Sequence, residues 1–165
     1  MASPGAVASA RIAGVPVAVT YSSPRRRGRT ILGQVVPFGQ VWRTGANAAT
    51  VLHNDGAVVI GDVPLPAGAW SLWTLPTDST VTLIVNRRSG QWGTEYNPAL
   101  DFARIRMHAG RTTRVAEHFS IEVAEGPPGS GRFASRGTIS SGRCLSAWRR
   151  RHPNATGGHG AGATT

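Results

Sequence analysis

The sequence has no lysine and a single cysteine, Cys144, among its 165 residues. One cysteine excludes an intramolecular disulfide and any metal site made of several thiolates. The five histidines show no metal-ligand spacing such as HExxH; they are His53, His108, His118, His152 and His159. We therefore predict no bound metal and no cofactor.

Long apolar runs are also missing. No stretch approaches the roughly 20 apolar residues that a helix needs to cross a bilayer, so we predict no membrane span. Residues 1–13 are small and apolar, but they lack the basic start and the strongly apolar run of a signal peptide. As written, the chain is interpreted as soluble and cytoplasmic.

Acidic residues are few. Eight Asp and Glu stand against 18 Arg, which gives a net charge of +10, and residues 127–165 contain six Arg and no acid. The exclusive use of Arg is most simply explained by a GC-rich coding bias. A basic tail can still bind polyanions without specificity. Arg25, Arg26, Arg27 and Arg29 add a basic cluster, but we do not predict nucleic-acid binding, because only Tyr21 supplies an aromatic ring nearby.

Short alternating apolar runs, separated by Gly and Pro turns, dominate residues 14–125. They predict strands near residues 15–21, 49–53, 57–60, 69–75, 80–86, 102–108 and 118–123. Asp55-Gly56 predicts a hairpin between the second and third of these strands. Trp70 and Trp73 fall on opposite faces of one strand, so one of them is expected to be exposed. The predicted fold is all-β, an antiparallel β-sandwich of about seven or eight strands.

The domain organisation follows from where this pattern begins and ends. We predict a flexible N-terminus over residues 1–13, the sandwich over residues 14–125, and a disordered Arg/Gly-rich tail over residues 126–165. The tail has only four large apolar residues, too few for a core layer; they are Phe133, Ile139, Leu145 and Trp148.

An ordered series of motifs runs through the predicted sandwich. It comprises Gly28-Arg29, Gly33, Val36-Pro37, Gly39, Trp42-Arg43-Thr44-Gly45-Ala46-Asn47, Leu65-Pro66-Ala67-Gly68, Ser71-Leu72, Pro76, Asn86, Gln91-Trp92-Gly93 and Asp101. Over about residues 15–125 the chain resembles a bacterial family called domain of unknown function 2911, and the WRTGAN block is the specific part of the match. The resemblance implies an all-β domain, often in exported proteins, with no established activity and no catalytic residue to carry over. Export would require a start upstream of the one given.

The chain departs from the family pattern in two places. Ser23 stands where members usually have Arg. Members also usually finish with a further apolar strand around a Trp and an Asp, which the residues after Glu125 do not show. Without that strand, the sheet would have an unpaired edge, which favours aggregation. We hypothesise that residues from about Gly126 onward are an out-of-frame reading of a GC-rich gene; a genuine divergent tail is the alternative.

The WRTGAN loop is the predicted site for a small polar or anionic ligand. Arg43 offers donors suited to a carboxylate or phosphate, and Asn47 offers both a donor and an acceptor. The predicted ligand-binding residues are Arg29, Trp42, Arg43, Thr44, Asn47, Trp92 and Asp101. The structural alternative is that Arg43 and Asn47 only satisfy backbone groups of a long loop.

Other functions stay open at this point. Trp92 and Tyr96, with Gln91 and Glu95, would suit a sugar-stacking platform. A hydrolase using loop carboxylates such as Asp101 with a histidine is one alternative, although the chain has no GxSxG, P-loop or GxGxxG motif. Non-specific polyanion binding through the Arg-rich loop and tail is another. No catalytic residue is identified, and the oligomeric state is not predicted.

Overall fold

The computed structural model describes residues 3–111, 116–126, 131–137 and 143–147, with the backbone alone for residues 109–111 and 143–147. Within these residues it has twelve strands, one 3-10 turn (Pro98–Leu100) and no α-helix, so no helix described is long and apolar enough to cross a membrane. The strands are β1 (Gly5–Ile12), β2 (Val15–Ser22), β3 (Thr50–Asn54), β4 (Val58–Ile60), β5 (Val63–Leu65), β6 (Gly68–Pro76), β7 (Val81–Asn86), β8 (Asp101–Arg106), β9 (His108–Arg111), β10 (Ser120–Glu125), β11 (Gly131–Arg136) and β12 (Arg143–Ala147).

The strands form two sheets. The first has the order β1-β2-β3-β6-β7-β8, and all of its pairs are antiparallel. The second has the order β5-β4-β11-β12-β9, with β10 also paired to β11, and its β4–β11 contact is a single parallel pair. The prediction of an all-β sandwich is therefore confirmed, and the seven predicted strands correspond to β2, β3, β4, β6, β7, β8 and β10.

The main core lies between the sheets because alternate residues of each strand point inward. Val17 and Val19 of β2 and Leu72 of β6 are at most 2% exposed, as is Phe119 just before β10. The ring of Phe119 meets the edges of Tyr21 and Trp42 at centroid distances of 5.7 and 5.2 Å. Burying each such side chain contributes about 1.5–3 kcal/mol, so this layer supplies much of the stability.

Strand β1 corrects the prediction of a flexible N-terminus. It pairs with β2 over its whole length, from Gly5 opposite Ser22 to Ile12 opposite Val15. Its inward-facing residues Ala6, Ala8 and Ala10 are partly buried against the main core. Alanine gives little contrast with its neighbours in an alternating pattern, so the periodicity of β1 was not recognised.

The Asp55-Gly56 turn does not form the predicted hairpin. Strand β3 pairs with β2 and β6 in the first sheet, whereas β4 pairs with β5 and β11 in the second. The buried Asn54 fixes this crossing: its Nδ2 donates to Gly56 O at 2.9 Å and to Pro66 O at 2.8 Å, and its Oδ1 accepts from Trp70 Nε1 at 3.0 Å. The dipeptide indicates a turn, but the tertiary bonds of Asn54 decide which strands it joins.

Strand β11 extends the sandwich beyond Glu125, into the region predicted to be a disordered tail. It pairs with β10 over six residues, and its Phe133, Ala134 and Ser135 are at most 3% exposed. A Cβ on Gly131 would overlap Ile12, so small residues are needed at this close approach. Counting only large apolar residues missed the strand for this reason. Residues 148–165 of the predicted tail lie outside the described residues.

A second, smaller core covers the outer face of the first sheet. Trp73 of β6 and Ile84 of β7 are at most 1% exposed, and Val41, Leu75 and Tyr96 pack against this cluster. Trp70 on the opposite face of β6 is also buried, at 8% exposure. The expectation that one of these two tryptophans is exposed is therefore wrong, because Val41, Leu75 and Tyr96 cover the outer face of the first sheet, where Trp73 lies.

Candidate functional site

The WRTGAN loop begins with a tryptophan that belongs to the core. Trp42 forms a two-way backbone bridge with Thr74, in which each N–H donates to the other residue's carbonyl at 2.8 Å. Its side chain is 9% exposed and packs on Phe119. Trp42 is placed as a structural anchor of the loop and not at its surface.

Thr44 and Gly45 fasten the same loop to the sheet. Thr44 is 1% exposed, and its Oγ1 lies 2.7 Å from Thr74 Oγ1. The Thr44 carbonyl accepts from Thr50 Oγ1 at 2.8 Å. A Cβ at Gly45 would lie 3.0 Å from Ser22 O, so glycine permits the close approach to β2. These contacts leave the Thr44 side chain unavailable to a ligand.

Arg43 and Asn47 meet Gly93 where the loop touches the segment Gln91–Gly93. Gly93 N donates to Asn47 O at 3.1 Å, and a Cβ on Gly93 would overlap both Arg43 Cδ and Asn47 O. Arg43 Nε and Gln91 Oε1 are buried and have no hydrogen-bond partner among the described residues, although Gln91 Nε2 donates to Ser71 Oγ at 3.1 Å. Each unpaired buried group costs about 1–3 kcal/mol.

Trp92 differs from Trp42, Trp70 and Trp73 because it is 54% exposed. Its backbone N–H donates to Glu95 Oε2 at 3.3 Å, and the same carboxylate oxygen forms an ion pair with Arg88 NH2 at 3.3 Å. Trp92 also forms an antiparallel bridge with Ala48 at the end of the WRTGAN loop. The structure therefore brings Arg43, Asn47 and Trp92 together; a role for them in ligand binding stays a prediction.

Asp101 lies further along the same face and serves as a hydrogen-bond acceptor for three side chains. Its Oδ1 accepts from Asn86 Nδ2 at 3.0 Å, and its Oδ2 accepts from Tyr96 at 2.6 Å and Arg104 at 3.1 Å. Partial burial and the bond to Asp101 raise the pKa of Tyr96 to about 12. With both oxygens engaged and the phenol kept neutral, this cluster ties β7 to β8 and offers no free carboxylate.

Arg29 lies apart from these residues, in a cleft of about 390 Å³. We call this the arginine cleft; it is lined by Ser3, Pro4, Ser23, Pro24, Arg25, Arg27, Arg29 and His118. Arg25 forms an isolated bridge with His118, which joins the Ser23–Arg29 loop to the segment before β10. Within the part of the chain that the structure describes, the lining holds three guanidinium groups and no acid.

The loop that carries the arginines of the cleft is held in place by the buried Arg26, which is 5% exposed. Its Nε donates to Arg29 O at 3.0 Å and its NH1 donates to Ala116 O at 3.2 Å. The backbone N–H of Arg26 donates to Glu117 O at 2.8 Å, and Glu117 Oε1 accepts from Arg27 N at 2.9 Å. One buried arginine and one glutamate thus fix the loop that carries the other arginines.

A family model described as "Protein of unknown function (DUF2911)" matches residues 3–134. The chain belongs to the DUF2911 family. No curated protein and no solved structure matches it. The resemblance read from the motifs is confirmed, and the match extends it at both ends to include β1 and part of β11.

Sequence reasoning did not connect His118, Ser3 and Pro4 of this DUF2911 chain to the Arg25–Arg29 cluster. The three segments are far apart in sequence, and none carries a local motif. Within the described residues, no three His, Cys, Asp or Glu side chains lie close enough together to hold a metal ion.

Proposed function

We propose that this domain binds a small anionic ligand, a carboxylate or a phosphate, in the arginine cleft. The observation that supports it is the lining itself, with Arg25, Arg27 and Arg29 around one cavity that no acidic side chain of the described segments lines. A guanidinium presents parallel N–H donors that match the two oxygens of a carboxylate or phosphate. The ligand class is the one expected from the sequence, but its location moves from the WRTGAN loop to Arg29.

The size and order of the cleft also suit a small ligand. Its volume of about 390 Å³ falls within the roughly 300–1,000 Å³ of ligand pockets. Arg29 Nε donates to Arg26 O at 3.2 Å, so one guanidinium is already held in place. Groups that are ordered before binding lose less conformational entropy when the ligand arrives, which strengthens binding.

A thermal melt of the full chain against phosphate, citrate and acetate tests the proposal. A ligand at 100 times its dissociation constant stabilises the folded state by about 2.7 kcal/mol, which gives a visible rise in the midpoint. The double variant Arg25→Gln, Arg29→Gln is expected to lose that rise while keeping its own midpoint near that of the wild type, because both residues are exposed.

Arg106→Gln is the matched control, since Arg106 is exposed on β8, at the opposite edge of the first sheet from β1. This variant removes one positive charge, against two in the double variant, and is expected to keep the full response to the anion. An equal loss in both variants would show general charge screening instead of a site. No rise with any of the three anions in the wild type would contradict the proposal.

The alternatives have less support from the geometry. Hydrolysis was expected to pair Asp101 with a histidine, whereas the partners of Asp101 among the described residues are Asn86, Tyr96 and Arg104. The pair His53 Nδ1–Asp55 Oδ1 at 3.3 Å is exposed on the outer face of β3. A serine nucleophile would have to lie within hydrogen-bond reach of His53. Ser9, on the same face, lies two strands away across Ala18, about 9.6 Å from His53 in backbone spacing. Polyanion binding through the Arg-rich loop and tail would depend in part on Arg149, Arg150 and Arg151, which lie outside the described residues.

A further inference from the structure

One tryptophan is presented to solvent although the chain buries the others whose side chains are described. Trp42, Trp70 and Trp73 are 9%, 8% and 1% exposed, whereas Trp92 is 54% exposed. Covering a large apolar side chain contributes about 1.5–3 kcal/mol, and Trp92 forgoes much of this. A position that keeps an indole at the surface leaves an apolar face available to a partner.

The backbone that carries Trp92 is held on both sides. Ala49 N donates to Gln91 O at 3.2 Å, and Gly93 N donates to Asn47 O at 3.1 Å. Trp92 N donates to Glu95 Oε2 at 3.3 Å, and Glu95 N donates back to Trp92 O at 3.0 Å. The backbone of Trp92 is therefore positioned before any ligand arrives, which lowers the entropic cost of binding.

The side chains around Trp92 offer both donors and acceptors, and apart from the partly buried Arg43 their charges are paired. Glu95 and Arg88 are about half exposed, at 52% and 48%, and their ion pair at 3.3 Å balances the two charges. The exposed Asn47 lies across from Gly93 and has an amide that both donates and accepts. We call Asn47, Arg88, Trp92 and Glu95 the Trp92 surface.

This combination fits a sugar. A pyranose ring has a face of C–H groups that packs on an indole, and a rim of hydroxyls that both donate and accept hydrogen bonds. A nucleic-acid strand would instead require a positively charged groove along its backbone, and the paired Arg88 and Glu95 do not provide one. We propose that the Trp92 surface is a binding site for a neutral saccharide, separate from the arginine cleft.

Affinity electrophoresis of the full chain tests this proposal. Native gels are cast with galactomannan, glucomannan, hydroxyethyl cellulose or soluble starch and run toward the cathode, because the net charge is +10. At least one of these neutral polysaccharides is expected to retard the wild type. Trp92→Ala is expected to raise the apparent Kd about tenfold or more, which corresponds to about 1.4 kcal/mol.

Phe38→Ala is the matched control, since Phe38 is 55% exposed on another loop. It is expected to be retarded like the wild type. Retardation of the wild type by none of the four polysaccharides, or an equal loss in both variants, would overturn the proposal. Saturating phosphate is expected to leave the retardation unchanged, so the saccharide site and the arginine cleft can fail independently.

Discussion

The arginine cleft and the Trp92 surface are both built from loops, but different interactions hold them in place. In the cleft, the side chain of the buried Arg26 donates to the carbonyls of two separate segments. At the Trp92 surface, two backbones approach so closely that only Gly93 fits between Arg43 and Asn47. The first arrangement depends on one charged side chain, whereas the second depends on the absence of a side chain. Each can therefore be disrupted without touching the other.

Replacing Gly93 by alanine is expected to have the largest effect. Its Cβ would overlap Arg43 Cδ and the Asn47 carbonyl, and backbone cannot move aside easily. Overpacking of this kind costs about 1–3 kcal/mol, and we expect a value near the upper end. Denaturant unfolding measures the loss, and gel retardation by a polysaccharide is expected to disappear with it.

Gly5→Ala is the control for the alanine itself, because a Cβ there meets nothing within 4 Å. Its stability is expected to equal that of the wild type. Phosphate is expected to raise the melting midpoint of Gly93→Ala by as much as it raises that of the wild type. A Gly93→Ala variant with wild-type stability would show that the two loops can separate freely.

Arg26→Met is expected to disrupt the other region, with a somewhat smaller loss of stability. Methionine keeps much of the apolar stem but leaves Arg29 O and Ala116 O without their donors. Both bonds are only partly buried, so each lost hydrogen bond costs about 0.5–1.5 kcal/mol, or about 1–3 kcal/mol for the two. The same variant is expected to lose the response to phosphate and to keep its retardation by polysaccharide.

Arg106→Met separates the loss of charge from the loss of support, because Arg106 is exposed on β8. It is expected to change neither stability nor either form of binding. If Arg26→Met kept the full response to phosphate, the positions of Arg25, Arg27 and Arg29 would not depend on the bonds that Arg26 makes.

Much of the fold could be predicted because β2 and β7 carry a large apolar residue at every second position, which is a direct consequence of strand geometry. Strands β1 and β11 could not, since their buried faces use alanine, glycine and serine at close approaches that only the opposite sheet defines. The sequence predicted a turn at Asp55-Gly56 but not that this turn connects the two sheets. The connection depends on hydrogen bonds of Asn54 with Pro66 and Trp70, which are distant in the sequence.

The candidate site was predictable only where its residues share a loop. The WRTGAN block indicated Arg43 and Asn47, and the structure places them beside Gly93, one residue from Trp92. The arginine cluster was visible in the sequence, yet its partner His118 comes from the segment before β10. Nothing in a single sequence records that contact, because it depends on how the loop packs against a distant strand.

Tyr96→Phe is expected to have the smallest effect, and that effect should depend on pH. At neutral pH it removes one hydrogen bond to Asp101, a loss of about 1 kcal/mol. The folded pKa of Tyr96 is about 12, above the ordinary value of 10.0, so its stabilisation is complete below pH 10 and is lost as pH rises toward 12. Denaturant unfolding of both proteins from pH 8 to 12 should show the difference between them shrinking over that window. A constant difference would mean that Tyr96 ionises alike in the folded and unfolded chains.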